Sequence, residues 1–170
     1  MTAATPPIKV LMVCLGNICR SPTAEGVLRK LLQDQKLQGV IEVDSAGTSG
    51  WHDGEPPDQR SIRAAARRGY DLAAQRSRKV VLSDFEQHHY ILAMDYQNLR
   101  DLEQMCPAHH RSKLGLLLQY GNTPVRSVPD PYEKSAGAFD TVIDLCENAC
   151  HDFLQHLVKQ HGLGPVRGQP

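Results

Sequence analysis

Short apolar runs alternate with amphipathic stretches along the whole chain. Ile8-Lys9-Val10-Leu11-Met12-Val13 has the pattern of a buried strand. A helix is expected from about Pro22, whose missing N–H is harmless in a first turn. It continues through Ala24, Val27, Leu28, Leu31 and Leu32 at helical spacing until Gly39 interrupts it. Val40 to Asp44 reads as a second strand. Ser45 to Pro57 reads as a long loop rich in Gly, Ser and Pro that carries the only tryptophan, Trp51. Asp58 can cap a helix to about Arg68, stopped by Gly69. Ser83-Asp84-Phe85-Glu86 has the form of a capping box, and His89 to Ala93 reads as a third strand. Asp95 can cap the next helix, which Pro107 limits. Lys113 to Leu118 reads as a fourth strand, with Gly115 weakening the pattern. A second loop, residues 120–135, contains Pro124, Pro129 and Pro131. The last helix, about Ala138 to Gln160, carries Val142, Cys146, Ala149, Cys150, Phe153 and Leu157 on one stripe.

Strands that alternate with helices imply the α/β class: a four-stranded parallel sheet flanked by helices on both faces, in a single domain. The domain is expected over residues 8–161, with a disordered N-terminus at 1–7 and a flexible tail at 162–170. In such sheets ligands bind beyond the carboxyl ends of the strands, and Cys14 lies at such an end. The formal net charge of zero disfavours a nucleic-acid partner. No apolar run reaches the roughly 20 residues needed to span a bilayer, and Ile8 to Val13 lacks a signal-peptide arrangement. The expectation is therefore a cytoplasmic protein with no membrane partner. Five cysteines, an odd number, argue against a disulfide framework and raise the question of which thiol is reactive.

The informative segment is Cys14-Leu15-Gly16-Asn17-Ile18-Cys19-Arg20-Ser21, a cysteine and an arginine separated by five residues and followed by serine. A loop between a strand and a helix can point successive backbone N–H groups inward, and the helix N-terminus adds positive potential. Gly16 permits unusual dihedrals, and Arg20 offers a planar fork for two phosphate oxygens. The same donors would favour the ionised form of Cys14 at the base of the cradle. Ser21 could donate a further hydrogen bond to the sulfur. A thiolate in line with a bound phosphorus is an activated nucleophile. The competing reading is an inert, buried cysteine at a strand end. The strand–loop–helix setting favours the anion cradle.

A thiolate that accepts a phosphoryl group needs an acid for the leaving oxygen. Asp130, in Val128-Pro129-Asp130-Pro131-Tyr132, is the candidate, because its loop follows the fourth strand and can reach the same rim. On spacing alone it stands level with a plain turn residue.

Val13 to Pro22 together with Ala24-Glu25, then Ser45-Ala46-Gly47-Thr48, Trp51, Ile91 to Asp95 and Asp130-Pro131-Tyr132, resemble the low-molecular-weight protein tyrosine phosphatase family. The resemblance runs from about Ile8 to Val158 and implies the flavodoxin-like fold of that family. It implies a phosphotyrosine phosphatase that works through a phosphocysteine on Cys14, with Arg20 as the phosphate clamp. Asp130 would be acid and then base, and Ser21 would stabilise the departing thiolate. Asn17 would brace the loop with Ser45 as one partner. Leu15, Gly16, Ile18 and Cys19 would supply the rest of the phosphate loop. Trp51 and Tyr132 would wall the slot for the aromatic ring, with His52 on the rim. Cys19 could form a reversible disulfide with Cys14. The sequence departs from the family at two points. Gln75 stands where some relatives carry a loop-bracing histidine, and Tyr132 is followed by Glu133 rather than by a second tyrosine. Relatives acting on phosphoarginine place Thr at the position of Ile18, so Ile18 favours phosphotyrosine. No cofactor or metal is implied. The partners implied are phosphotyrosine-containing proteins, and a monomer is expected.

Other constellations have blander readings. Cys146 and Cys150 share the apolar stripe and read as core. His88-His89 and His109-His110 are adjacent pairs, which rarely share a face, so metal ligation is disfavoured. Seven basic residues between positions 60 and 79 read as a solvated helix face. Two other functions compete: a thioredoxin-coupled arsenate reductase on the same fold, and a non-enzymatic phosphate-binding module. The reductase needs resolving cysteines, and residues 80–100 contain none. The binding module would leave Asp130 without a purpose.

Overall fold

Four parallel strands form the sheet, in the order β2-β1-β3-β4, in a computed structural model that describes residues 5–163. The strands are β1 (Ile8–Cys14), β2 (Ile41–Gly47), β3 (Tyr90–Ala93) and β4 (Leu114–Leu116). The helices are α1 (Arg20–Asp34), α2 (Gln59–Ala66), α3 (Leu82–Gln87), α4 (Tyr96–Met105) and α5 (Ala136–Gln160). The expected disordered N-terminus and flexible tail fall largely on residues 1–4 and 164–170, outside the described residues. Among the described residues no helix is long and apolar enough to cross a membrane.

β1 is central and apolar because both its faces are covered. Val10, Met12 and Cys14 pack with α1 and α5, whereas Leu11 and Val13 face Phe85 of α3 and Leu102 of α4. The α5 stripe of Val142, Cys146, Ala149, Cys150, Phe153 and Leu157 is fully buried, so Cys146 and Cys150 are core residues. Phe153 meets Tyr90 and Tyr120 edge to face, with ring centroids 5.5 and 4.8 Å apart. The chain leaves β1 for β2 on one side and later crosses to β3 on the other. The carboxyl end of β1 is therefore the switch point where a ligand cleft opens.

Several elements differ from the sequence reading. β2 runs on through Ser45, Ala46 and Gly47, which were expected in the loop, because parallel pairing with β1 continues to Cys14 opposite Gly47. A Cβ at Gly47 would meet the Leu15 carbonyl oxygen at 2.7 Å, so only glycine lets β2 pass this close to the loop after β1. α2 ends at Ala66, earlier than expected. α3 starts at Leu82 with Asp84, not Ser83, as the capping side chain: its carboxylate accepts the Val81 N–H at 2.8 Å. β4 stops at Leu116, and Leu117–Tyr120 forms a 3-10 turn whose Gln119 side chain accepts the Leu116 N–H. Part of the basic segment is paired with acids, while Arg63, Arg76 and Lys79 are exposed as expected. Arg68 bonds Asp144 and Glu147 of α5, Arg78 bonds Asp44 and Asp84, and Arg60 bonds Asp58. His88 and His89 have separate partners, the Asp84 carbonyl and the Lys9 N–H. The His109 and His110 rings lie 4.1 Å apart and tilted by 44° in the 3-10 turn Ala108–Lys113, so this adjacent pair does share a side.

Candidate active site

The turn from β1 into α1 is held from outside by its carbonyl groups. The Cys14 carbonyl accepts the Thr48 N–H at 2.9 Å, that of Leu15 accepts Ser49 N–H at 2.9 Å, and that of Ile18 accepts Asp58 N–H at 2.8 Å. The Gly16 carbonyl takes the Ser77 hydroxyl at 3.0 Å. With the carbonyls turned outward, no acceptor among the described residues takes the N–H groups of residues 15–19. Asn17 lies in the left-handed region, with φ of 57°. His52 covers Gly16 so closely that a Cβ there would stand 3.1 Å from its ring.

Asn17 is the hub of a buried hydrogen-bond network. Its Oδ1 accepts the Arg78 N–H at 3.0 Å, which turns Nδ2 toward two serines. Nδ2 donates to Ser21 Oγ at 2.8 Å and to Ser45 Oγ at 3.0 Å. Ser21 Oγ lies 3.1 Å from Cys14 Sγ. Gln75 does not join this network: its amide donates to the Pro22 carbonyl at 3.0 Å.

Arg20 is buried at the first residue of α1, where its side chain crosses to the far rim. It donates to Asp95 Oδ2 at 2.6 Å and to the Val128 carbonyl at 3.0 Å. Its second terminal nitrogen lies 3.8 Å from Asp130 Oδ2. Burial works against its charge, but Cys14, Asp95 and Asp130 outweigh burial and raise its pKa above the ordinary value. The Cys19 thiol is pushed up to about 12, chiefly by burial, and stays protonated.

Asp130 is stationed by backbone contacts. The Val128 N–H donates to the Met94 carbonyl at 2.8 Å, which ties its loop to the end of β3. The other carboxylate oxygen of Asp130 accepts the Tyr132 N–H at 3.1 Å, an Asx turn around Pro131. A cleft of about 530 Å³ opens here, with Cys14, Arg20 and Ile18 at its floor and Trp51, His52 and Tyr132 on its walls. Trp51 is 75% exposed, so its indole projects from the rim. The Arg60 guanidinium lies 5.5 Å from the Tyr132 ring and 4.6 Å from that of Phe139, and so props the wall.

This arrangement has relatives. Residues 9–163 match the family described as low molecular weight phosphotyrosine protein phosphatase. The chain belongs to this family. It is 41% identical over 148 residues to the human low molecular weight phosphotyrosine protein phosphatase, covering 86% of this chain and 93% of that one. It is 38% identical over 157 residues to the Bacillus subtilis low molecular weight protein-tyrosine-phosphatase YfkJ, covering 92% and 99%. The crystal structure of a protein tyrosine phosphatase from Entamoeba histolytica, with Hepes in its active site, superposes with a TM-score of 0.88 at 39% identity, covering 91% and 99%.

Within this phosphatase fold the residues expected at the site converge. Cys14, Leu15, Gly16, Ile18, Cys19, Arg20, Trp51, His52, Asp130 and Tyr132 all line the cleft, and Asn17, Ser21 and Ser45 stand behind it. Sequence reasoning missed three neighbours. Asp95 was read only as a cap; its Oδ1 does accept the Asn98 N–H at 2.7 Å, while Oδ2 takes Arg20. Arg78 enters through its backbone N–H, which no sequence pattern reveals. Glu25 is buried in α1 and accepts the Ser45 hydroxyl at 2.6 Å. Its signal was available: a glutamate on the apolar side of a helix next to the motif.

Proposed function

We propose that this chain hydrolyses phosphotyrosine in protein substrates through a phosphocysteine intermediate on Cys14. The N–H groups of residues 15–19 and the Arg20 fork hold the three equatorial oxygens of the phosphoryl group. The Cys14 thiolate attacks phosphorus from below, and the bond to the tyrosine oxygen breaks. Asp130, protonated at this step, gives its proton to that oxygen. The resulting carboxylate then takes a proton from water as the water attacks phosphorus. The sulfur–phosphorus bond breaks, inorganic phosphate forms, and Ser21 stabilises the released thiolate. Trp51 and Tyr132 clasp the aromatic ring, and Ile18 at the floor favours an aryl ester over a guanidinium.

One observation carries this reading: Cys14, Arg20 and Asp130 line one cleft, with the Asp130 carboxylate 3.8 Å from the Arg20 guanidinium. All five cysteines are unpaired and buried, which suits the reducing cytoplasm. Turnover of p-nitrophenyl phosphate with EDTA present tests the reading. Metal-independent turnover in the wild type, and none in Cys14→Ser although that variant still binds vanadate, is the expected result. Substantial activity in Cys14→Ser refutes it. Arsenate reduction coupled to thioredoxin, without ester turnover, would place the chain with reductases instead.

A further inference from the structure

Glu25 is a buried carboxylate that the proposed chemistry does not use. It sits one turn into α1, 5% exposed, and accepts a hydrogen bond from Ser45 on β2. Arg29, one turn further along α1, bonds the other carboxylate oxygen and also donates to the Val43 carbonyl. Burial pushes Glu25 up from the usual carboxylate range, and the bonds from Ser45 and Arg29 oppose that rise.

The donor and acceptor inventory fixes the direction of the bonds from here to Ser21. The Arg78 N–H can only donate, so Asn17 presents Oδ1 to it and both Nδ2 protons to the serines. Ser45 Oγ therefore accepts from Asn17, and its own proton goes to Glu25. Ser21 Oγ likewise accepts from Asn17. The Ser21 proton is left with two acceptors, Cys14 Sγ at 3.1 Å and the Ala46 carbonyl at 3.4 Å, of which the sulfur is nearer. Asn17 occupies a left-handed backbone conformation that persists only where its surroundings over-determine it. Asn17 Nδ2 donates to both serines, so the two ends of the chain are joined by the fixed position of that amide.

We propose that Glu25, acting through Ser45, is a positioning residue for Cys14. Its carboxylate anchors the far end of a hydrogen-bond chain, divided at Asn17 Nδ2, that holds Asn17 left-handed and leaves the Ser21 proton for the sulfur. The proposal rests on the phosphocysteine reading for its effect on turnover, though not for its effect on the sulfur itself.

A double-mutant cycle with Glu25→Ala and Ser45→Ala tests it, read by kcat/KM on p-nitrophenyl phosphate and by the rate at which iodoacetate alkylates Cys14. Each single variant should lose about 10- to 100-fold in kcat/KM, the worth of one hydrogen bond to a charged group. Each should also slow alkylation. The double variant should lose no more than either single one, because both cut the same chain. Glu25→Gln, which keeps an acceptor oxygen for Ser45, should recover most of the loss. Losses that multiply in the double variant overturn the proposal. So does a wild-type rate in Ser45→Ala, whether or not Glu25→Ala folds. The alkylation arm needs no turnover, so an inert wild type sinks the phosphatase reading while the fate of the chain to Cys14 is still decided.

Discussion

Replacing Asn17 separates the two jobs it does, one through its side chain and one through its backbone. In Asn17→Ala the Arg78 N–H loses its acceptor, a part-buried loss of about 1 kcal/mol. Ser21 and Ser45 each lose one bond but keep another partner, which adds about 1 kcal/mol. Alanine must also hold φ near 57°, at about 1–2 kcal/mol for a side chain with no local polar compensation. The total is about 3–4 kcal/mol. Asn17→Gly loses the same bonds without the backbone strain. At an ordinary position glycine is less stable than alanine by about 0.4–1 kcal/mol. Here the order should reverse, with Asn17→Gly the more stable by about 1 kcal/mol, or about 2–4 °C in Tm for a chain of 170 residues. Urea denaturation of both variants, with the slopes compared to ensure that the unfolded states match, supplies the measurement. An alanine variant as stable as the glycine variant would refute the argument that the left-handed backbone at position 17 strains alanine.

Other consequences can be checked with the same material. Asp130→Ala should slow turnover by about 10²- to 10⁴-fold, with greater loss for esters with poor leaving groups; equal losses across leaving groups remove Asp130 from the acid role. Trp51→Ala should raise KM for aryl phosphates with Tm nearly unchanged, because an indole 75% exposed contributes little to the core; a large fall in Tm would contradict that. Burial holds the pKa of His88 below its ordinary value, so the unfolded chain binds that proton more readily. Stability should therefore fall as pH drops below about 6.5, and His88→Asn should flatten the fall in Tm between about pH 7 and 5; an unchanged slope would show that His88 does not carry it.

How much of this was legible in the sequence depended on distance along the chain. The loop from Cys14 to Ser21 was readable because its strand, glycine, arginine and helix start are contiguous. Asp130 was readable as a rim residue because the loop after the fourth strand must return to the same end of the sheet. The extension of β2 through Ser45 and Gly47 was hidden, since Ser-Ala-Gly-Thr reads as turn chemistry until β1 is placed beside it. The second role of Asp95 was hidden because one oxygen serves a local cap while the other serves Arg20, 75 residues away in sequence. The basic segment looked solvated because its acids lie on α5 and elsewhere, and only the packed fold brings Arg68 to Asp144 and Glu147. Gln75 marked a departure from the family, which left open whether it braces Asn17; its amide reaches Pro22 instead.

Denaturant quench of Asp130→Ala during turnover of an aryl phosphate, followed by mass mapping, reads the central claim directly. This variant lacks the base that would activate water, so the intermediate should accumulate, with one phosphoryl group on the peptide that contains Cys14 and none when Cys14 is also changed to Ser. A peptide without phosphate during steady turnover, or phosphate on a residue other than Cys14, would contradict the account.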